Sequence, residues 1–382
     1  MLKSPLWDSK IVLGTSAMLK SPLWDSKIVL GNGLGSHAGV HKLSGTYISI
    51  PCLPPHFQTL NSIFHAVIYS SKDRQEFGNY AVYRTLIEEL RFLDKHGVEL
   101  DLPQGKTKIY FKLGLILGDN LGLHSILGFV ENFNASYSCR FCKMDKIQRS
   151  LATVEDKSLI RSYQYYKYDL NLKDPNSTGI KKKCVFSSLP DFHVTQNYAV
   201  DMMHDFLRGI FHFDMIEIIN HYIYKAKLFS LDELSSRMNA HDFRVVESKN
   251  KPPEILDKHL QTDSLKMSAG ETLTFIRHFG IIVGDMIPED DIVWRVYLNL
   301  RQILDIISSR SLQKESKFLL DNLVSEHHIL VQRVLKRKLK AKDHILLHYG
   351  SVFIESGPVI NTSSMRFEAN HQGSLKMLVP RG

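Results

Sequence analysis

The pattern of hydrophobic and polar positions predicts an α/β region in roughly the first half of the chain. Residues 46–51 alternate polar and apolar side chains, are rich in β-branched residues and end at a proline, which predicts a strand. Apolar residues recur at helical spacing across 79–95, with glutamates on the opposite face. A second strand is predicted over 108–117, and it places Asp119 just beyond its end, where ligands and catalytic groups often lie in α/β sheets.

A long and mostly helical stretch is predicted from about residue 200 to residue 340. The helices expected there cover residues 201–225, 231–238, 269–286, 291–308 and 316–340. Pro252, Pro253 and Pro288 interrupt the stretch, and the segment 351–376 returns to mixed character. The pattern therefore predicts an α/β fold with a large helical part.

An exact repeat stands at the beginning of the chain. Residues 1–14 recur without change at 18–31, and both copies begin with methionine. Two copies of so short a segment do not form a repeat array. We interpret them as a recent tandem duplication or an error of the gene prediction, and expect 1–31 to lie outside the fold.

The composition is that of an ordinary globular protein. Of 382 residues, 43% are hydrophobic and 23% are charged, and the formal net charge is +8. A basic excess favours an acidic polymer as partner, although it is also common in proteins that bind none. The most apolar stretch, 113–130, contains Asp119, Asn120 and His124, which is too polar for a membrane span. With no apolar signal core near the start, an intracellular location is expected.

Two pairs of residues have the spacing of metal ligands. Cys139 and Cys142 stand in a C-x2-C pair, and about 200 residues later His344 and His348 are separated by three residues. Together they could form a Cys2His2 zinc site that joins the two ends of a long insertion. The alternative is a pair of core histidines and two buried thiols. With only four cysteines in the chain, metal ligation in a reducing compartment is favoured over disulfides.

Three acidic positions are candidates for catalysis, and each has a simpler alternative. Asp119 lies between glycines in a tight turn, but aspartate is also a favoured helix N-cap. Asp201 and Asp205 share a helical face beside His204, where helix capping is the alternative. Glu368 follows His348 by twenty positions, and its alternative is a surface ion pair of little energetic value.

A basic run precedes the histidine pair. It extends over 336–342 and contains Arg337, Lys338, Lys340 and Lys342, which are candidate phosphate contacts. Most such runs are solvated helix faces. Phosphate contact would instead appear as a salt-dependent affinity for nucleic acid.

In their order along the chain, these motifs resemble a known family. They are Gly-Asp-Asn-Leu-Gly, Cys-Arg-Phe-Cys, Asp-Met-Met-His-Asp, Lys-x-His-Ile-Leu-Leu-His-Tyr and Met-Arg-Phe-Glu, found between about 113 and 376. The chain resembles the transposase-derived proteins related to CACTA-type DDE transposases, and in layout the catalytic core of the vertebrate recombination-activating recombinase. The resemblance covers most of the chain beyond position 35.

The resemblance implies a fold and a set of site residues. The fold would be an RNase H-like mixed sheet with helices, interrupted by a large all-α insertion. Its first part would occupy 32–200, the insertion 201–340 and its last part 341–382. Asp119 and Glu368 would be the second and third acids that hold Mg²⁺ for phosphodiester cleavage, with Asp201 in the family's Asp-x-x-His signature. The Cys139, Cys142, His344 and His348 set would bind structural zinc.

Departures from the family pattern imply that catalysis is impaired. Relatives carry the first acid before an Asn-Pro-Leu-Gly-Ser stretch, but the residues before Asn32 belong to the repeated segment, where Asp25 is the nearest carboxylate. Arg208 stands where relatives usually have Glu. We therefore expect a transposase-derived protein with little or no activity that retains nucleic-acid binding.

Two alternatives remain open at this point. The first is an active Mg²⁺-dependent DNA endonuclease or strand transferase with Asp25 or Asp201 completing the acid set. The second is a zinc-stabilised protein-interaction scaffold. DNA as partner, self-association, a nuclear rather than cytoplasmic location and no association with membranes are further expectations.

Overall fold

The computed structural model describes residues 25–34, 43–51 and 62–368. Within these ranges the protein is a mixed α/β structure with far more helix than strand. The strands lie between residues 25 and 118, and the segments from 203 to 368 are helical. Among the described helices, none combines the length and apolar character needed to cross a membrane.

Five strands of the described chain form one sheet. They are β1 (Asp25–Leu34), β2 (Leu43–Ser49), β3 (Ile63–Ser70), β4 (Val98–Leu102) and β5 (Gly105–Gly118), in the spatial order β3-β2-β1-β5-β4. The pairing of β1 with β5 is parallel, and the other pairings are antiparallel. The strands predicted at 46–51 and 108–117 fall within β2 and β5. Helix α1 (Ser71–Lys95) connects β3 to β4, includes the helix predicted at 79–95 and packs against β3 and β5.

The second copy of the repeat takes part in the sheet. Strand β1 begins at Asp25 and pairs with β2 on one side and β5 on the other, so residues 25–31 occupy its central strand. The expectation that 1–31 lies outside the fold is wrong for these residues. The Ile28-Val29-Leu30 run suits a strand, because β-branched and apolar residues fit a pleated surface whatever the origin of the segment. Residues 1–24 lie outside the described residues.

The register of β1 against β5 separates two acids. Asn32 pairs with Gly118, next to Asp119, whereas Asp25 pairs with Tyr110. The second pair is eight positions further along β5 and seven further along β1, which is about 25 Å at roughly 3.3 Å per residue. The backbone of Asp25 is therefore at the other end of the strand from Asp119.

After the sheet, the chain is built from helices. They are α2 (Asn120–Leu127), α3 (Lys146–Leu151), α4 (Tyr163–Leu172), α5 (Pro175–Thr178), α6 (Phe211–Asn220), α7 (Leu231–Ala240), α8 (Arg244–Glu247), α9 (Asp257–Leu260), α10 (Ala269–Val283), α11 (Ile292–Ile307), α12 (Ser316–Leu330), α13 (Ala341–Leu346) and α14 (Tyr349–Ser356). Turns of π-helix at Met203–Ile210 and His221–Lys225 flank α6, and another at Val331–Leu335 extends α12.

Most predicted helices of the long stretch are confirmed, but the last is shorter than expected. It ends at Leu335, because Lys336 takes a left-handed conformation with φ of 53° and turns the chain. The basic run therefore continues through a loop into α13 and is not one helix face. In the segment predicted to return to mixed character, the described residues 351–368 form short helical pieces interrupted at 357–358 and 363–364, and no strand. Helix packing, not sheet pairing, surrounds both histidines of the candidate metal pair.

Candidate metal centre and carboxylate cluster

The two cysteines and two histidines predicted from spacing meet in one buried group. The Cys139 Sγ atom lies 3.5 Å from His348 Nε2, and the Cys142 Sγ atom lies 3.2 Å from His344 Nε2. The four candidate ligand atoms all lie within 4.8 Å of one another. Ligands bound at about 2.0–2.3 Å to a tetrahedral zinc stand about 3.5 Å apart, so the spacing fits a four-coordinate metal. The group could bind a metal ion such as zinc.

Local structure holds each ligand pair in position. The cysteines flank a tight loop in which the Phe141 amide donates to Cys139 Sγ over 3.3 Å, as backbone amides do towards metal-bound thiolates. His344 lies in α13, and His348 is the N-cap residue of α14. The Phe141 ring stacks on the His348 imidazole with a centroid distance of 4.9 Å.

A carboxylate orients one histidine from outside the ligand group. His348 Nδ1 lies 2.7 Å from Glu155 Oε1, and Ser351 donates to the other Glu155 oxygen. Although burial opposes ionisation, the hydrogen bonds from His348 and Ser351 lower the pKa of Glu155. Metal-binding histidines commonly pair their second ring nitrogen with a carboxylate in this way. Glu155 thereby fixes the ring so that Nε2 faces the sulfur atoms.

The three candidate catalytic acids approach one another around His204. The two ring nitrogens of His204 lie 2.5 Å from Asp201 Oδ2 and 3.0 Å from Glu368 Oε1. Asp119, at the N-cap of α2, accepts from the Gly122 amide over 2.5 Å and is close enough for its ionisation to respond to His204, Asp201 and Glu368. The capping alternative for Asp119 is therefore observed, and electrostatic interaction with the other two acids places Asp119 in their neighbourhood.

The ionisation of His204 is governed by its two acidic partners. Burial alone would lower the pKa, but the hydrogen bonds to Asp201 and Glu368 raise it to about 10. Burial is the main cause of the raised pKa of Asp119, to which repulsion from Asp201 and Glu368 adds. A positively charged imidazole thus lies between two of the three carboxylates at neutral pH.

Asp201 is a buried residue whose oxygens are already in use. Its Oδ1 accepts from the backbone amides of Met203 and Ser364, at 3.1 and 3.0 Å, and its Oδ2 accepts from the Ser364 hydroxyl at 2.6 Å as well as facing His204. Only 1% of the side chain is exposed. This geometry orients His204 and leaves Asp201 little capacity for an additional cation.

One buried network connects the carboxylate cluster to the cysteine loop. Arg140, between the two cysteines, donates to Asn120 Oδ1 over 2.6 Å, and Asn120 donates to Asp205 Oδ1 over 2.5 Å. The other Asp205 oxygen accepts from the Asp201 amide and the Tyr349 hydroxyl. Burial raises the pKa of Asp205 above its ordinary value. Sequence patterns gave no signal for Arg140, Asn120 or Ser364, because their partners are distant in the chain.

A groove with several lysines opens beside Asn120. It has a volume of about 630 Å³, and its lining includes Lys146 of α3, the Phe213 ring and three members of the basic run, Lys338, Lys340 and Lys342. The Lys340 ammonium lies 4.0 Å from the Phe213 ring centroid and forms an ion pair with Asp263. Lys338 and Lys146 are exposed. The groove offers positive charge within reach of the carboxylate cluster.

Besides Lys340, two further members of the basic run have structural partners. Arg337 forms ion pairs with the fully buried Asp214 and Asp343, over 2.7 and 2.8 Å, and only 9% of its side chain is exposed. The prediction of a phosphate contact does not fit this placement. Lys342 donates to the backbone oxygens of His204 and Arg208 at 2.6 and 3.1 Å. It thereby connects the lining of the groove to the backbone of the carboxylate cluster.

The structure thus brings together the four metal-ligand candidates and, separately, Asp119, Asp201 and Glu368. It does not bring the backbone of Asp25 to either group. A comparison with models of known protein families gave no match to this chain, and neither did a search of curated proteins.

Proposed function

We propose that this protein is a transposase-derived, nucleic-acid-binding protein with an RNase H-like core, a structural zinc and an impaired catalytic site. The observation that carries the proposal is the convergence of Asp119, Asp201 and Glu368 on His204, beside a buried Cys2His2 group and a lysine-lined groove. Those residues come from widely separated parts of the chain, in the order that the family resemblance implies.

The arrangement of the fold supports the RNase H-like core. The resemblance implies a mixed sheet interrupted by an all-α insertion between the second and third acids. Here the last strand of a mixed sheet ends directly before Asp119. Between Met203 and Leu335, all regular elements of the described residues are helices. The zinc would join the two ends of that insertion, because its cysteines precede the insertion and its histidines follow it.

Two observations support the loss of catalysis. The β1 residues paired near Asp119 are Gly31 and Asn32, neither of which has a carboxylate, and Asp25 is about 25 Å away along the strand. A protonated His204 also lies between Asp201 and Glu368. Two-metal phosphodiester cleavage needs carboxylates that hold Mg²⁺ ions about 3.5–4 Å apart, and losing a ligand commonly costs orders of magnitude in rate.

An active Mg²⁺-dependent nuclease is the second candidate, and the approach of three acids to one point favours it. When bound, Mg²⁺ would activate water and stabilise the leaving oxygen. Asp119 and Glu368 would hold it, while Asp201 would position His204. A nicking assay on supercoiled plasmid with Mg²⁺ or Mn²⁺ distinguishes the candidates. We expect no nicking above that of Glu368→Gln; metal-dependent nicking that this substitution abolishes would establish the enzyme instead.

Binding is tested by titrating labelled duplex and single-stranded DNA at several salt concentrations. We expect an affinity that falls linearly with the logarithm of salt concentration, because the groove lysines would release counterions from phosphates. An affinity for neither form at low salt contradicts the proposal. It would favour a zinc-stabilised scaffold that binds other proteins.

A further inference from the structure

A second cluster of metal-ligand side chains lies in the helical part of the protein. It consists of His327 and His328 in α12 and Asp343 in α13, and one ligand atom from each lies within 4.8 Å of the others. All three side chains are completely buried. None of them belongs to the Cys2His2 group.

The histidines of this cluster have ring nitrogens without partners. His327 uses Nε2 to face Asp214 Oδ2 at 2.7 Å, but its Nδ1 makes no hydrogen bond, and neither ring nitrogen of His328 does. Buried polar atoms without partners are rare and unfavourable. Each of the two neighbouring rings therefore has one lone pair available, and together these lone pairs point to a bound species that the side chains alone do not supply.

The surroundings of His327 match those of a metal-binding histidine. A ring that donates one N–H to a carboxylate keeps a lone pair on the other nitrogen for a metal, and the carboxylate fixes its orientation. Asp214 has this role, because it is held by Arg337 at 2.7 Å as well as by His327.

The charge of the cluster also accommodates a cation. Arg337 bridges Asp214 and Asp343, so two buried carboxylates share one guanidinium. The Oδ1 atom of Asp343 accepts from Arg337 alone, whereas Oδ2 accepts from both Arg337 and the Lys340 amide. One lone pair of Oδ1 remains for a metal, and with neutral histidines the cluster carries one uncompensated negative charge.

We propose that His327, His328 and Asp343 bind a second metal ion, a divalent transition ion such as zinc, at a site without sulfur ligands. Two imidazoles and a carboxylate suit Zn²⁺ and its neighbours better than Ca²⁺ or Mg²⁺, which prefer oxygen ligands. Because the site is fully buried, the ion is structural and enters as the helices fold. It tethers α12 to α13, and thereby supports the position of His344, the residue after Asp343.

The test is the number of metal ions and their ligands in the full chain. The protein is expressed with added zinc, dialysed against metal-free buffer and analysed by mass spectrometry of its metals and by X-ray absorption at the zinc edge. We expect two zinc ions per chain and, since only the first site has cysteines, an average of one sulfur ligand per zinc. One zinc per chain with two sulfur ligands overturns the proposal and leaves a buried water as the partner of the ring nitrogens.

Matched variants assign the second ion to its ligands. His328→Leu replaces the imidazole by an apolar side chain of similar size, so both nitrogens are removed. The variant should contain one zinc ion per chain, with two sulfur ligands. His212→Gln is the control, since His212 is equally buried but both of its ring nitrogens have hydrogen-bond partners. Retention of two zinc ions in His328→Leu overturns the assignment, as does loss of one ion in His212→Gln alone.

Discussion

Arg140 Nη1 lies 2.6 Å from Asn120 Oδ1, which joins the cysteine loop to the residue directly after Asp119. Through Asn120 the same contact reaches Asp205, and through Asp205 the amide of Asp201. The candidate metal centre and the carboxylate cluster are therefore two parts of one buried polar network. A change in either part is expected to reach the other.

Arg140→Met should destabilise the protein by about 3 kcal/mol, because it leaves Asn120 and the buried Asp205 without their cationic neighbour. The free energy of unfolding in urea measures the effect. Lys181→Met is the control, since the Lys181–Glu131 pair is on the surface and such pairs contribute at most about 1 kcal/mol. Equal losses in the two variants would show that the network adds nothing to stability.

Removal of metal should lower the stability of the whole chain. A strong chelator is expected to reduce the free energy of unfolding by at least about 3 kcal/mol, because the metal joins two ligand pairs that are about 200 residues apart and its binding free energy is part of the folding free energy. Cys142→Ser should lose the metal of the Cys2His2 group and the part of the stability that this metal contributes. Cys184→Ser is the matched control, as Cys184 is buried but outside the cluster. A melting temperature unchanged by chelation contradicts the metal centre.

The contribution of His204 to stability should depend on pH. Its folded-state pKa of about 10 lies above the ordinary value of 6.5, so the contribution is fully present below about pH 6.5 and is lost as pH rises through about 10. We expect His204→Asn to cost about 1–3 kcal/mol at pH 6, allowing for its partial exposure, and much less above pH 10. Unfolding of both proteins in urea at the two pH values gives the comparison. A cost that is the same at both would mean that His204 is not charged in the folded protein.

The lysines of the groove should determine the salt dependence of DNA binding. For duplex DNA, each phosphate contact contributes about 0.9 to the slope of log affinity against log salt concentration. Lys338→Glu is therefore expected to reduce the slope by about that amount. Lys106→Glu is the control, because Lys106 lies in the β4–β5 hairpin and pairs with Glu99. Equal slopes for the wild type and Lys338→Glu would place the contact elsewhere.

Gly179 allows a close backbone approach beside the cysteine loop. It has φ of +74°, and a Cβ atom there would lie 1.9 Å from the Tyr137 carbonyl oxygen. We expect Gly179→Ala to destabilise the protein by about 3 kcal/mol or more, since both the conformation and the space are unsuitable. Gly78→Ala separates the two effects, because Gly78 also has positive φ but open space around it. Its cost should come from the backbone conformation alone, about 1–3 kcal/mol.

Ligand spacing was sufficient to predict the Cys2His2 group, because two short motifs contain all four of its members. The same reasoning could not identify the role of Arg140, since its two hydrogen-bond acceptors are 20 and 59 positions away in the chain. It also treated Arg337 as a surface charge. A basic run shows how much positive charge is present but not which side chain forms an ion pair with a buried acid. For Arg337 that acid is Asp214, which lies 123 positions earlier in the chain.

Strand positions were predicted where alternation was clear, as for β2 and β5, whereas β3 and β4 were not predicted, and neither was β1. That strand is made partly from a repeated segment whose origin suggested that it lies outside the fold. Pairing with two neighbours, which depends on the other strands and not on the segment itself, gives it a place in the sheet. Local pattern could not supply this information.

The sequence distance across the Cys2His2 group has a consequence for the order of folding. Its sulfur–nitrogen contacts join residues 209 and 202 positions apart. During synthesis both cysteines emerge about 200 residues before the histidines that complete the group. The Cys2His2 group can form only after His348 has left the ribosome. Its formation is therefore a late step, which follows the synthesis of the whole helical region between the ligand pairs.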